Sequence, residues 1–530
     1  MEFVARNCVM EWSFTSTVKY QDPFHEIDFS VVFKNPEGEE LLIPGFWAGG
    51  NNWRVRYSSP LTGKHRYRTI CSDTSNSGLH GREGEFEVVP YQGNNPLYQH
   101  GRLKISQNRR YLEHLDGTPF FWLGDTWWMG LCKRLSWPTD FKILTADRVT
   151  KRFTVIQIVA GLYPDMPPFD ERGANEAGFP WEKDFARINP YYFDMADLRI
   201  EWLVRSGLVP CIVGCWGYFL PWMGIDKMKK HWRYLIARYG AYPVVWCLAG
   251  EATMPYYLSE TKQEDSQIQK RGWTEIAKYV RETDSFHNPI TIHPTRYGRE
   301  EIENPELIDF EMLQTGHNSH LSFPDTIQAL KVSLEKEPRM PVLVGEVCYE
   351  GILEASREEI QRLLFWGCML SGAAGHTYGA NGVWQVNTRE KPFGPSPHGS
   401  SWGDIPWEDA YRLPGSRHLG IGKKLLERYP WWKIEPHQEW IETPSSNKDK
   451  YFLPYAAGIP GKLRIIYFSP FLPLTKIKKL EPGVTYSAFL FNPSTGEETP
   501  LGKVVPDKNG DWKIPTPPVF RDWILVMETQ

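Results

Sequence analysis

Long apolar runs are missing from this chain. Nowhere in its 530 residues do 18 consecutive apolar residues occur, so a membrane-spanning helix is not expected. A charge excess is missing too: the formal net charge is -4, which points neither to nucleic acid nor to an anionic membrane as a partner. Cysteine is sparse, with eight residues at 8, 71, 132, 211, 215, 247, 348 and 368. They form no CxxC pair and no Cys/His cluster of metal spacing, so buried free thiols are expected, and no metal site. HExxH and glycine-rich phosphate loops are absent, which removes the zincins and the P-loop enzymes. No cofactor is implied. The first residues, MEFVARNCVMEWSF, lack a basic stretch followed by an apolar one, so no signal peptide and a cytoplasmic location are expected.

What the chain has in plenty is aromatic surface: 23 Trp, 25 Tyr and 27 Phe make up 14% of it. Much of this serves a large core, but flat rings also stack on the apolar C–H faces of sugars. Two segments carry a second signal. Val244–Glu251, VVWCLAGE, runs six mostly apolar residues into Gly250 and then Glu251, and Pro341–Glu346, PVLVGE, repeats the design. Uninterrupted apolar runs of this length suit strands buried on both faces. A carboxylate at the end of such a strand sits on an apolar rim, where partial desolvation raises its pKa. One such acid could cap a helix; two make paired carboxylates the leading idea.

Taken in order, residues 1–95 alternate as β-strands in HEIDFSVVF (25–33), NWRVRYSS (52–59), HRYRTICSD (65–73) and GEFEVVPY (84–91), separated by turn-rich stretches. This predicts an N-terminal β-sandwich. Across 96–426, apolar runs alternate with amphipathic stretches, which indicates βα units. Eight candidate strands can be counted, at 119–128, 153–161, 208–217, 244–251, 289–295, 307–317, 341–347 and 372–384. Helices are expected at 138–152, 189–207 and 356–372. In the second, Met195, Leu198, Ile200, Trp202 and Leu203 form an apolar stripe, with Arg199, Glu201 and Arg205 on other faces. This is the pattern of a TIM (β/α)8 barrel. The long second βα loop, 162–189, is expected to be functional, and the Pro/Gly/Ser-rich stretch 385–415 to cover the barrel end. Residues 427–530 return to β runs at 450–458, 462–470, 485–493, 510–517 and 522–529, predicting a C-terminal β-sandwich. The fold class is thus a multidomain chain with a central barrel flanked by two sandwiches.

Active groups of a TIM barrel come from the C-terminal ends of its strands. Read in order, those ends give Asp125, Trp127 and Trp128; Gln157; Trp216; Glu251; His293; Gln314 and His317; Glu346 and Glu350; and His376, Tyr378, Asn381 and Trp384. Each alone also fits a structural use: His293 or His376 in the core, Asp125 as a helix cap, Glu350 paired with a basic neighbour. As a set, two carboxylates amid His, Tyr, Gln and Trp suffice for glycoside hydrolysis, with carbohydrate as the partner. A non-catalytic carbohydrate-binding protein on the same barrel is the alternative, and homo-oligomerisation stays open.

The glutamates ending strands four and seven resemble those of the (β/α)8 clan of retaining glycoside hydrolases. That resemblance implies Glu251 as acid/base and Glu346 as nucleophile. FFWLGDTWW, NPYYFDMADLRIEWLVRSGLVP, DFEMLQTGH, PVLVGEVCYEG and GAAGHTYGANGVW are similar to the apiosidase-like (DUF4038-type) family. Its members often carry an N-terminal β-sandwich and a C-terminal domain described as collagen-binding-like. The clan often has Asn just before the acid/base, whereas here Gly250 holds that place. By family analogy, furanosides such as apiosides or arabinofuranosides become candidate substrates.

Overall fold

The computed structural model describes residues 2–442, 452–469 and 476–529. At its centre are eight parallel strands: β1 (Trp122–Thr126), β2 (Val155–Val159), β3 (Val209–Val213), β4 (Val245–Cys247), β5 (Ile290–Thr291), β6 (Glu311–Gln314), β7 (Val342–Glu346) and β8 (Gly375–Tyr378). They are hydrogen-bonded in the order β5-β4-β3-β2-β1-β8-β7-β6, and each lies within its expected stretch. Every residue of these strands is buried except Gln314, which is why they read as unbroken apolar runs rather than alternating ones.

The barrel is nearly closed. Between β5 and β6 there is no ladder; the Asp309 N–H donates to Ile290 O at 2.8 Å and Tyr297 makes one antiparallel bridge to Leu313. The fifth βα unit also departs from expectation. Only two short 3-10 turns, Gly298–Glu300 and Pro305–Leu307, join β5 to β6. The connection, HPTRYGREEIENPELIDF, is too short and too broken by Pro and Gly to carry a helix across the barrel.

Seven helices surround the other units: α1 (Thr139–Thr150), α2 (Pro190–Arg205), α3 (Ile225–Tyr239), α4 (Lys262–Thr283), α5 (Ser322–Glu335), α6 (Glu358–Met369) and α7 (Pro414–Leu426). The start of α2 is set by the Asn189 side chain, which accepts from the Tyr191 N–H, and by Pro190 in the first turn. Its buried face differs from the expected stripe. Tyr192, Phe193, Ala196, Ile200 and Leu203 face inward together with Arg199, while Leu198 is exposed. Arg199 is tolerated there because it reaches Glu176 of the long β2 loop at 2.7 Å and the Leu135 carbonyl at 3.2 Å.

Ahead of the barrel lie a five-stranded sheet, ordered 2–5, 83–89, 63–71, 29–34, 40–44, and a three-stranded one ordered 10–15, 52–57, 46–47. Their aromatics meet: Trp12 lies 4.9 Å from Phe86 and 5.4 Å from Phe33, ring centre to ring centre. Residues 25–28 are not strand as expected, because Asp22 caps a short helix that Pro23 opens. Arg56 from these sheets and Arg238 from α3 both grip Asp197 of α2, at 2.5 and 2.8 Å, which seats the N-terminal sheets on the barrel. After α7, six antiparallel strands, ordered 435–436, 455–459, 463–468, 523–529, 486–491, 498–503, form a further sheet with its own core around Ile466, Leu490, Leu525 and Met527. Of the strands expected here, residues 450, 451 and 470 lie outside the described residues.

Candidate active site

The C-terminal ends of the barrel strands surround a cavity of about 320 Å³. Seven of the residues picked from the sequence line it: Trp128, Trp216, Glu251, Gln314, His317, Glu346 and Trp384. His293 stands directly behind it, fully buried, with Nε2 3.2 Å from Glu346 Oε2. The separation is that of an ion pair rather than of an aligned hydrogen bond.

Glu346, the last residue of β7, has each oxygen against an imidazole. His317 Nε2 lies 2.9 Å from its Oε1. The backbone N–H of Tyr349 donates to His317 Nδ1 at 3.2 Å, so that nitrogen is the acceptor and Nε2 carries the proton directed at Glu346. From β2, Gln157 donates to the carbonyl of Gly345 at 3.1 Å and so braces β7 just before the glutamate. Burial by itself would raise Glu346, but the close imidazoles of His293 and His317 outweigh it and hold the carboxyl well below the usual range. His293 shows the reciprocal effect: burial lowers it, Glu346 raises it, and the net direction is up.

Glu251 sits four residues beyond the end of β4, in a left-handed backbone conformation with φ of 41°. A glutamate there is strained, and such strain is held in place only by the surroundings. Here Trp216 Nε1 donates to Oε2 at 3.2 Å and Gln314 Nε2 to Oε1 at 2.9 Å. Burial, then the charge of Glu346, push the Glu251 carboxyl up to about 7. Two carboxylates in one cavity are thereby driven apart, one that keeps its proton up to about pH 7 and one ionised.

The other candidates lie elsewhere. Asp125 is fully buried, accepting from Arg148 Nε and Trp127 Nε1, both at 2.6 Å; Trp127 is buried with it. Gln157 braces β7, as above. Glu350 accepts from Tyr378 Oη and from the Gly415 N–H, and does not line the cavity. His376 is buried near the Phe365 ring, 5.8 Å centre to centre. Asn381 donates to the Trp402 carbonyl at 2.8 Å and so ties down the stretch after β8.

Sequence reading missed Pro164, Asp165, Met254, Tyr257, Tyr349, Ile352, His398 and Trp402, which complete the lining. Pro164 and Asp165 belong to the long loop 162–189, and His398 and Trp402 to the stretch 385–415, the two segments whose length and composition marked them out. No residue within them stood out, because loop residues carry no periodicity.

Comparison with known proteins agrees with this geometry. The sequence profile of the "Apiosidase-like, catalytic domain" family matches residues 106–433, and that of a domain of unknown function, DUF5060, matches residues 5–72. No curated protein matches the chain. Among solved structures, a glycoside hydrolase is 22% identical over 83% of this chain and 99% of its own, with a TM-score of 0.67. A glycoside hydrolase family 5 structure from Bacteroides vulgatus is 20% identical over 83% of this chain and 95% of its own, also at 0.67. A second structure from that organism covers 100% of both chains at 17% identity and a TM-score of 0.72. At these identities the structures share the fold.

Proposed function

The chain belongs to the apiosidase-like family of glycoside hydrolase catalytic domains, and from that premise we propose that it cleaves glycosides with retention of anomeric configuration. The observation that carries this reading is the opposed pKa shift of Glu251 and Glu346 across one cavity. Glu346, ionised and aimed by two imidazoles, attacks the anomeric carbon. Glu251, protonated near pH 7, gives its proton to the departing oxygen. The resulting glycosyl ester on Glu346 is hydrolysed when Glu251, now a base, takes a proton from water.

Gln314 can serve both states of Glu251. Its Nε2 donates to the carboxylate, and its Oε1, which has no partner, would accept from the carboxylic acid after an amide turn. A carbohydrate binder would gain nothing from holding one buried carboxylate neutral and its neighbour charged.

The glycone we propose is a pentofuranose such as apiose or arabinofuranose. The family supports it, as does a lining that holds no Asn beside the acid. All eight cysteines are free thiols, which supports a reducing, cytoplasmic setting and small glycosides as substrates.

The test is stereochemical. Proton NMR of the first-formed sugar, recorded before mutarotation, should show the anomeric configuration of the substrate. An inverted first product would remove Glu346 as the nucleophile even if both glutamates proved essential.

A further inference from the structure

The cavity has two unlike ends. On the Glu346 side Tyr349 packs against His317 at 4.6 Å and against Trp384 at 5.9 Å, ring centre to ring centre, and Trp128 donates to the Tyr349 hydroxyl; all three aromatics are buried. Around Glu251 the walls are Asp165, Met254, Tyr257, His398 and Trp402, and here Met254, Tyr257 and Trp402 are half-buried and His398 is exposed. A general acid stands beside the bond it breaks, on the side of the departing oxygen. The open, aromatic end therefore receives the leaving group, and the closed end the sugar that is attacked.

Asp165 is the charged group of that open end. It is only 6% exposed, and its backbone is left-handed, with φ of 56°. Trp402 Nε1 donates to its Oδ2 at 3.1 Å, and Tyr257, which packs 5.3 Å from His398, is close enough for the Asp165 charge to join burial in pushing its hydroxyl up. Arg172 of the same loop does not neutralise it: that guanidinium holds Asp170 at 2.8 Å and reaches only the Asp165 backbone carbonyl. The loop bearing Trp402 is pinned from β8, by Asn381 to the Trp402 carbonyl at 2.8 Å and by Asn387 to the Gly403 carbonyl at 3.0 Å.

A nearly buried carboxylate served by neutral donors alone is short of hydrogen-bond partners. Sugar hydroxyls are neutral donors at the right spacing, and rings such as Tyr257 and Trp402 offer faces for sugar C–H groups. We infer that Asp165, held by Trp402 and flanked by Tyr257, is the hydroxyl-binding residue of a leaving-group subsite, so that the group this enzyme releases is itself a sugar. The inference rests on the glycosidase reading above. It adds a specificity determinant on the side of the scissile bond opposite the glycone.

The experiment compares two substrates sharing one glycone, a 4-nitrophenyl glycoside and the corresponding disaccharide, across a panel of pentofuranosides and pyranosides. On a glycone that the wild type turns over, Asp165→Asn should lower kcat/KM for the disaccharide about 100-fold or more. For the aryl glycoside the fall should stay under about 10-fold, because a site built to bind hydroxyls discriminates only where hydroxyls are present. Trp402→Phe, which keeps the ring and removes the donor, should show the same asymmetry at smaller size, and it guards against an Asp165 variant that merely folds poorly. Equal losses on both substrates, or none on the disaccharide, overturn the inference while leaving the glycosidase reading intact. Wild-type inactivity on every member of the panel overturns both.

Discussion

The indole of Trp216 occupies the space that a side chain at residue 250 would need: a Cβ built on Gly250 would lie 2.2 Å from Trp216 Cε3 and Cζ3. The same indole donates its Nε1–H to Glu251 at 3.2 Å. The glycine before Glu251 is therefore a steric consequence of Trp216. One ring replaces the side chain at 250 and holds the carboxylate of 251.

The first prediction follows from this contact. Gly250→Ala forces the buried ring or the strained Glu251 turn to move, and overpacking of this kind costs about 1–3 kcal/mol. The variant should melt lower and lose at least about 10-fold in kcat/KM, as displaced catalytic groups do. Trp216→Phe keeps most of the packing but removes a donor that favours the charged carboxylate. Glu251 should then titrate higher, by up to about one pH unit. An alanine variant with wild-type melting and kinetics would show that the contact is not tight.

A second prediction concerns the pH profile. In the proposed mechanism Glu251 acts as the acid only while protonated, and burial with the Glu346 charge holds its carboxyl at about 7. Activity, as kcat/KM, should therefore fall as pH rises through about 7. Glu251→Gln should lose that limb on an activated aryl glycoside, whose leaving group needs no proton, and should lose far more turnover on an unactivated glycoside. An unchanged alkaline limb in the variant would assign the titration to another group.

The barrel was legible because its strands are buried on both faces, which writes them as apolar runs ending in Gly and an acid, as in PVLVGE. Rim residues could be counted from those ends, and Trp128, Trp216, Glu251, Gln314, His317, Glu346 and Trp384 do line the cavity. What the pattern could not tell is which polar rim residue points inward and which is absorbed by a buried partner. Asp125 reads as a substrate-binding rim residue until Arg148 is found 2.6 Å away, 23 positions along the chain. Asp165, Tyr257 and Trp402 were hidden for the opposite reason, because their places are set by loop packing that leaves no period in the sequence.

His317 gives a third prediction. Its Nε2–H is directed at Glu346 Oε1, 2.9 Å away, and helps to keep the proposed nucleophile ionised despite burial. Removing it in His317→Ala raises the Glu346 pKa. Because the nucleophile must be ionised, the acid limb of kcat/KM should move to higher pH. The plateau should drop about 10–100-fold, the scale of losing a hydrogen bond to a buried charge. A lower plateau with an unmoved acid limb would mean that His317 touches substrate without tuning Glu346.

The last prediction is about stability. Glu350 is buried away from the cavity, and burial, reinforced by the charge of Glu358, pushes its carboxyl up to about 7 from an ordinary 4.5, against the opposing pull of Tyr378, the Gly415 N–H and Arg148. The folded state thus holds a proton that the unfolded chain releases at lower pH. Below pH ~4.5 both states are protonated, and the folded protein bears no penalty. As pH rises through the window from ~4.5 to ~7, the unfolded state ionises first and stability is lost, by up to about 3 kcal/mol at 1.36 kcal/mol per unit. Above pH ~7 both states are charged and the loss levels off. Glu350→Gln is neutral throughout, so the stability of the wild type relative to this variant should decline across that window and then stay flat. Urea unfolding at pH 5, 6, 7 and 8 reads the difference directly, with Glu251 contributing equally to both proteins. Parallel curves for the two would mean that Glu350 ionises in the folded protein as readily as in the unfolded chain.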